Sequence, residues 1–435
     1  MSIPSRRSVS GRAKSRVGNV GGVVVCALFI TIAFTACSGD SVRGDFARAF
    51  GSDPAVAHLD LSTADNMPFT GGVGGTVTIA DGVSDEALHD LATRMSAFAA
   101  DRPDGEVSIV LDAEGGALEV PIFAVERLTT DALDRALTLL DDPRVEAVSL
   151  VAADGETGVS SVSMQVATAP DTFALAMAAP DQLRAVTSGT QLFVHVASKQ
   201  DRSRVKGDAG PWIGEAERLW TTVAASVPIT GVQAEPERTT FTLAHEKDLA
   251  AAEAVLPTSQ SAAGTSVAFA SQLVSLGSDA TGETARAVLA DLSPSVAATI
   301  LQVWTNDHES RWTVATPAHA VALANEIAGQ PAAAQFETFT VTSGDPGAPD
   351  FSVQASPAQL ADQADRAGEL AADPRVVSLR SSPRSADLQL IEDVPDADAA
   401  KFADAVLQWI NEGARVCVAR PDADALCRAA GETRN

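Results

Sequence analysis

Tyrosine is absent from all 435 residues, and aromatics make up only 5%. The core must therefore be built mostly from Ala, Val and Leu. Basic residues are scarce as well: 31 Lys and Arg face 57 Asp and Glu, for a formal net charge of −26. A surface this acidic repels phosphate backbones, which argues against nucleic acid as a partner. Its plainest service is solubility. Motifs of catalysis are missing too. There is no G-x-S-x-G, no H-E-x-x-H and no D-x-[DN]-x-[DN]-G calcium loop. The six His never fall at i, i+4, the spacing that puts two metal ligands on one helix face. Ser203-x-x-Lys206 fits S-x-x-K only in form, because it lies in a solvated charged stretch. Gly71 to Gly75, "GGVGG", precedes a strand pattern rather than a helix, so it reads as a turn and not a phosphate cradle. No catalytic residue, metal ligand or cofactor is expected.

What is present starts at the N-terminus. Arg6, Arg7, Arg12, Lys14 and Arg16 stand without an acidic residue among them, and an apolar run follows from Val20 to Ala36. That order is the one a secretory signal needs. The run ends in Phe34-Thr35-Ala36-Cys37, "FTAC". This boundary resembles the lipobox of bacterial lipoproteins, with Phe34 where the class usually has an aliphatic residue. The resemblance covers only the first forty or so residues. It implies cleavage before Cys37 and acylation of its sulfur. Several acyl chains then hold a soluble body to the membrane, where one chain would be marginal. The competing reading is an uncleaved anchor, for which the run is near the ~17-residue lower limit for spanning. Of the four Cys, Cys26 would be discarded with the leader and Cys37 would carry lipid. Cys417 and Cys427 remain, and in an oxidising compartment such a pair is expected to form a disulfide.

The body repeats itself. "LDDPRVEAVSL" from Leu140 returns as "LAADPRVVSLR" from Leu370, with a fainter copy, "SDPAVAHLDL", from Ser52. Each copy follows a helical pattern and precedes a β-branched one, so Asp-Pro reads as the joint between helix and strand. Leu133, Ala136, Leu137 and Leu140 share one helical face, with Thr130 as the expected cap. Ser84, Ser293, Thr316 and Ser356 also read as helix starts, the last three with Pro following. Period-2 segments such as "EVSIVLD" and "ALEVPIF" read as strands packed on one face. The unit is helix, strand, strand, roughly 40 residues long.

The expected fold is α+β: tandem two-layer modules with antiparallel sheets and helices on one face. Their element order resembles a ferredoxin-like β-α-β-β-α-β plait. The expected divisions are a signal peptide (1–36), a lipidated N-terminus, tether and first hairpin strand (37–73), and modules at 74–158, 159–237, 238–310 and 311–435. The stretches Ser198–Pro211 and Ser275–Glu283 read as linkers or insertions. Trp304 and Trp409 read as helix-borne core residues, and Trp212, after the charged stretch, as the exposed binding residue. The functional expectation is a lipid-anchored protein on the extracytoplasmic face of the membrane. It would be a non-enzymatic binding or structural scaffold, with an envelope protein or ligand as partner. The alternatives are an envelope hydrolase with a site between modules and a solute-capturing lipoprotein.

Overall fold

The computed structural model describes residues 38–435 except 68–69, 103–105, 114, 154, 156, 188, 190, 200–201, 257–264, 278–279, 346–347, 422 and 430–435. The leader and Cys37 lie outside the described residues.

The chain is a run of helix–strand–strand units. Helix α1 (Ser38–Phe50) leads to the hairpin β1 (Val56–Met67) and β2 (Thr70–Ile79). Next come α2 (Asp85–Ala100), β3 (Val107–Ala113) and β4 (Leu118–Ile122), then α3 (Glu126–Leu140), β5 (Val145–Ala152) and β6 (Val159–Val166). The fourth unit is α4 (Ala169–Leu183), β7 (Phe193–Ser198) and β8 (Arg204–Asp208). The fifth is α5 (Trp212–Ala224), β9 (Ile229–Glu235) and β10 (Arg238–Leu243). In the sixth, a 3₁₀ turn (Glu246–Asp248) and α6 (Leu249–Val255) precede β11 (Ser266–Ser271) and β12 (Val274–Leu276). Two short helices, α7 (Glu283–Ala290) and α8 (Pro294–Ala297), lead to β13 (Ile300–Thr305) and β14 (Glu309–Val314). The last units are α9 (Pro317–Ala328) with β15 (Thr338–Asp345) and β16 (Ala348–Ala355), α10 (Pro357–Ala371) with β17 (Val376–Ser381) and β18 (Ser385–Leu390), and α11 (Asp396–Leu407) with β19 (Arg415–Arg420) and β20 (Ala423–Ala429).

Strands lie in the sheets in sequence order, β1 to β11 in one and β12 to β20 in the other. Hairpin partners are antiparallel, and strands joined through a helix are parallel, as β2 with β3 or β16 with β17. The expected antiparallel sheets are therefore mixed. A split plait would insert a strand between the two that each helix joins, and none is inserted here. The reason is chain economy: a short hairpin and a single-helix crossover both deliver the next strand to the free edge beside the last. The helices of each sheet share one face, as the alternating burial along the strands and the packing of α2 on α3, α4 on α5 and α9 on α10 show. The strands bury alternate residues beneath those helices, as in Val107, Ile109 and Leu111 of β3 or Thr239, Phe241 and Leu243 of β10.

The Asp-Pro joints are built alike. Asp53, Asp142 and Asp373 each accept the backbone N–H two residues on, at 2.9, 3.0 and 2.9 Å. Each also accepts, through its carbonyl, the N–H of the first strand residue, Val56, Val145 or Val376. Past each joint the strand carries a β-bulge at its second residue, Ala57, Glu146 or Val377. The same bulge recurs at Thr230 in β9 and Leu301 in β13. Every fourth strand is thus bulged, giving a longer period of two units, roughly 80 residues. Bulges bend and over-twist a strand, so the sheets curl at regular intervals.

Local corrections follow from hydrogen bonding. Ser84, Ser293 and Thr316 cap their helices through their hydroxyls. Ser356 stands at its helix start but directs its hydroxyl to the Gln359 side chain. Thr130 is not a cap: α3 begins at Glu126, because the buried Thr129 hydroxyl pairs with both N–H and C=O of Phe123 and fixes the entry. Ser198–Pro211 is no loop, since it contains β8. The Gly71–Gly75 run lies within β2, where a Cβ on Gly75 would meet the Asp60 carbonyl at 2.0 Å. Within the span 37–73, residues 38–50 are the packed helix α1, which takes in the helical pattern read before the first joint and sets Phe46 and Phe50 against Phe98.

Candidate functional site

Because helices cover one face, the other face of both sheets is lined by the outward half of each strand. On the second sheet these residues enclose a cavity of about 500 Å³ with Gln302, Trp304, Arg311, Thr342, Gln354 and Asp387 in its wall. Trp304 is on β13, not on a helix, and is half-buried there. Its ring is packed beside Gly277, whose Cβ would lie 3.0 Å from it, and the Arg311 guanidinium sits 4.8 Å from the ring centroid. Arg311 also pairs with Glu309 at 3.1 Å. Thr313 and Thr342 share a hydroxyl hydrogen bond at 3.1 Å. The wall is thus rich in hydroxyl, amide and guanidinium groups, many of them from strand positions two residues apart, as Gln302 with Trp304, Thr340 with Thr342 and Ser352 with Gln354.

A second cavity of about 390 Å³ opens on the same face where the two sheets meet. Arg202, Arg204, Arg238 and Glu235 line it from the first sheet, and Ser275 and Gly277 from the second. Arg204 donates to the Gln233 side chain at 3.2 Å; Arg238 donates to the Thr240 hydroxyl at 3.2 Å and to the Ala280 carbonyl. Beside them, His195 on β7 faces Lys206 on β8 across the hairpin. Burial, then the charges of Arg204 and Lys206, push the His195 imidazole below its ordinary range, so it is neutral at neutral pH. Gly207 lets β8 lie against Pro236: at its φ of +147° a Cβ would come within 2.6 Å of the Pro236 ring.

A third cavity, about 480 Å³, lies on the helix side between α4 and α5, with Met177, Pro180 and Ile213 in its wall. Trp212 opens α5 beside it. The Trp212 ring is half-buried against the core, and its indole N–H donates to the Asp208 carbonyl at 2.7 Å. Trp409 packs half-buried against the second core, just past α11. Cys417 and Cys427 are bonded to each other as a directly opposed pair on β19 and β20. On the first sheet's open face Asp112 and Glu119 stand opposite one another. Burial, then the Glu119 charge, raises the Asp112 carboxyl above its ordinary value. Glu119 accepts the Ser149 hydroxyl at 2.5 Å. Among the described residues no three His, Cys, Asp or Glu side chains are grouped to hold a metal ion. No described helix is long and apolar enough to cross a membrane.

The sequence brought forward Trp212 and the disulfide pair; it passed over the arginines at the seam. Their signal was the alternation Arg204, Val205, Lys206, Gly207, which is a strand's period. No protein-family model, curated protein or solved structure matches this chain.

Proposed function

We propose that this chain is a lipoprotein carried on the extracytoplasmic face of the membrane by acyl groups on Cys37, and that its body is a non-enzymatic binding scaffold. The observation that carries the binding role is the uncovered polar face of both sheets, on which two cavities converge. The anchor is supported by the basic, then apolar, then Cys order of the leader. Helix α1 starts at Ser38, directly after Cys37, and is packed on β1 and β2. An acylated Cys37 would therefore hold the first unit flush with the bilayer, with no slack chain between. The repeated joints and bulges support descent of the body by tandem duplication of paired helix–strand–strand units. The Asp112–Glu119 pair favours the hydrolase alternative, because a carboxyl raised by burial beside a second carboxylate is an arrangement general acid–base chemistry uses.

The anchor is tested by feeding cells an alkynyl fatty acid. Wild-type protein takes the label and partitions into detergent, and Cys37→Ser does neither. A membrane-bound, unlabelled wild type would defeat the anchor. The scaffold role is tested with a photo-crosslinking residue at Thr340 on the open face or at Asp131 on α3. Adducts are expected from Thr340 alone; equal adducts from both would defeat it.

A further inference from the structure

We propose that the cavity at the seam between the two sheets binds a phosphoryl group through Arg202, Arg204 and Arg238. This rests on the open face being the binding surface, and not on the anchor. The first reason is charge. The chain carries −26 overall, yet three arginines against one glutamate leave this wall with two net positive charges, matching a phosphate dianion.

The second reason is pairing. Most of the other described arginines are held by carboxylates, as at Arg94, Arg144, Arg218, Arg286 and Arg375. Among the described residues none of the three seam arginines has an ion pair; Arg204 and Arg238 make hydrogen bonds to neutral groups only. Those neutral bonds aim the guanidiniums without cancelling their charge. Arg202 is held at the hairpin end with φ 51°, a backbone conformation a non-glycine residue seldom adopts. The third reason is the surroundings. Lys206 lies on the same strand face as Arg204, and the neighbouring His195 is kept neutral beside them, so no further proton opposes the cluster.

Guanidinium forks match phosphoryl oxygens in geometry, and several converging on one small cavity suit a single multiply charged group. A long polyanion is opposed by the acidic remainder of the surface. Two sources share this chemistry, a soluble phosphate ester and a lipid headgroup.

The full-length mature protein is titrated calorimetrically with inorganic phosphate and with glycerol phosphate at low ionic strength. Flotation is run with phosphatidylcholine vesicles with and without phosphatidic acid. Saturable binding is expected, weakened about tenfold or more in the double variant Arg204→Gln, Arg238→Gln, and weakened by added salt. Arg202→Gln, whose side chain makes no hydrogen bond or ion pair among the described residues, must also weaken binding, which keeps the test decisive if loss of the Arg238–Ala280 contact loosens the seam. Arg127→Gln, exposed on α3, should bind as wild type. Binding of the small phosphates assigns a soluble ester; binding only to phosphatidic acid vesicles, lost in Arg204→Gln, assigns a headgroup. The site is overturned if neither binds the folded wild type, if Arg202→Gln and Arg204→Gln bind unchanged, or if Arg127→Gln weakens binding equally. Crosslinking from Thr340 is read separately, so a failed titration beside open-face adducts removes this site and leaves the scaffold reading standing.

Discussion

Asp142 and Asp373 occupy equivalent joints and are held in the same way. Each carboxylate takes the guanidinium of the arginine two residues on, then that residue's backbone N–H, and both pKa values fall to about 2. A folded value below the unfolded 3.8 means the carboxylate adds stability above about pH 4, and that share is lost as pH falls toward 2. Carboxyl NMR titration of wild type should give midpoints near 2 for both. Asp142→Asn should flatten the acid limb of the stability–pH curve, and an unchanged limb would refute the assignment. The disulfide is the second residue-scale prediction. Replacing Cys417 and Cys427 by Ser frees the terminal strand and should cost about 2–3 kcal/mol in chemical unfolding. Both features were legible in the sequence, because Asp-Pro and a lone cysteine pair carry their geometry locally. Trp304 was not, since an isolated tryptophan has no period to say whether a helix or a strand holds it.

At the scale of elements the recurring bulge decides which side chains face the helices. Leu301 and Val377, at bulge positions, are 57% and 48% exposed although apolar. Leu379, two residues past the bulge at Val377, is fully buried. Val377→Ser should therefore change stability by no more than about 0.5 kcal/mol, whereas Leu379→Ala should cost about 2–5 kcal/mol. Equal losses in urea unfolding would mean that the bulge does not set the register. The helix–strand–strand order was readable from alternating periods and turn residues. Strand polarity was not: a helix connection fixes whether its two strands are neighbours only through the handed path of the backbone, which leaves no mark on composition. Strand β8 was missed because only Val205 and Gly207 face the helices, and so short an apolar signal reads as a charged loop. The seam arginines were lost with it.

Across the whole molecule there are two cores, one ending at Phe269 and the other beginning at Val274. They separate in the sixth unit, inside the span 238–310, because β11 and β12 do not pair as a hairpin and lie in different sheets. The Ser271 hydroxyl instead takes the N–H groups of Leu273 and Val274, at 3.1 and 2.9 Å, and turns the chain out of the first sheet. Beside the Arg238–Ala280 bond, a partly buried network ties the halves. Glu246, from the first half, accepts the Ser271 hydroxyl and the Arg286 guanidinium, each at 2.5 Å. Arg286, on α7 of the second half, also donates to the Phe269 carbonyl on the edge strand β11 at 2.7 Å. Arg286→Ala leaves Oε1 of Glu246 and an edge carbonyl without the donor that Arg286 supplies, at a cost of about 1–3 kcal/mol. Since each half keeps its own core, that loss falls on the coupling rather than on either fold. Denaturant unfolding of Arg286→Ala followed by hydrogen exchange should then resolve two transitions, with β1–β11 and β12–β20 exchanging as separate bodies. Glu246→Gln, which keeps the Ser271 bond but lowers the charge, should fall between the variant and wild type. One sharp transition in all three proteins would show that the cavity at the seam sits within a single cooperative unit and that Arg286 is not what joins it.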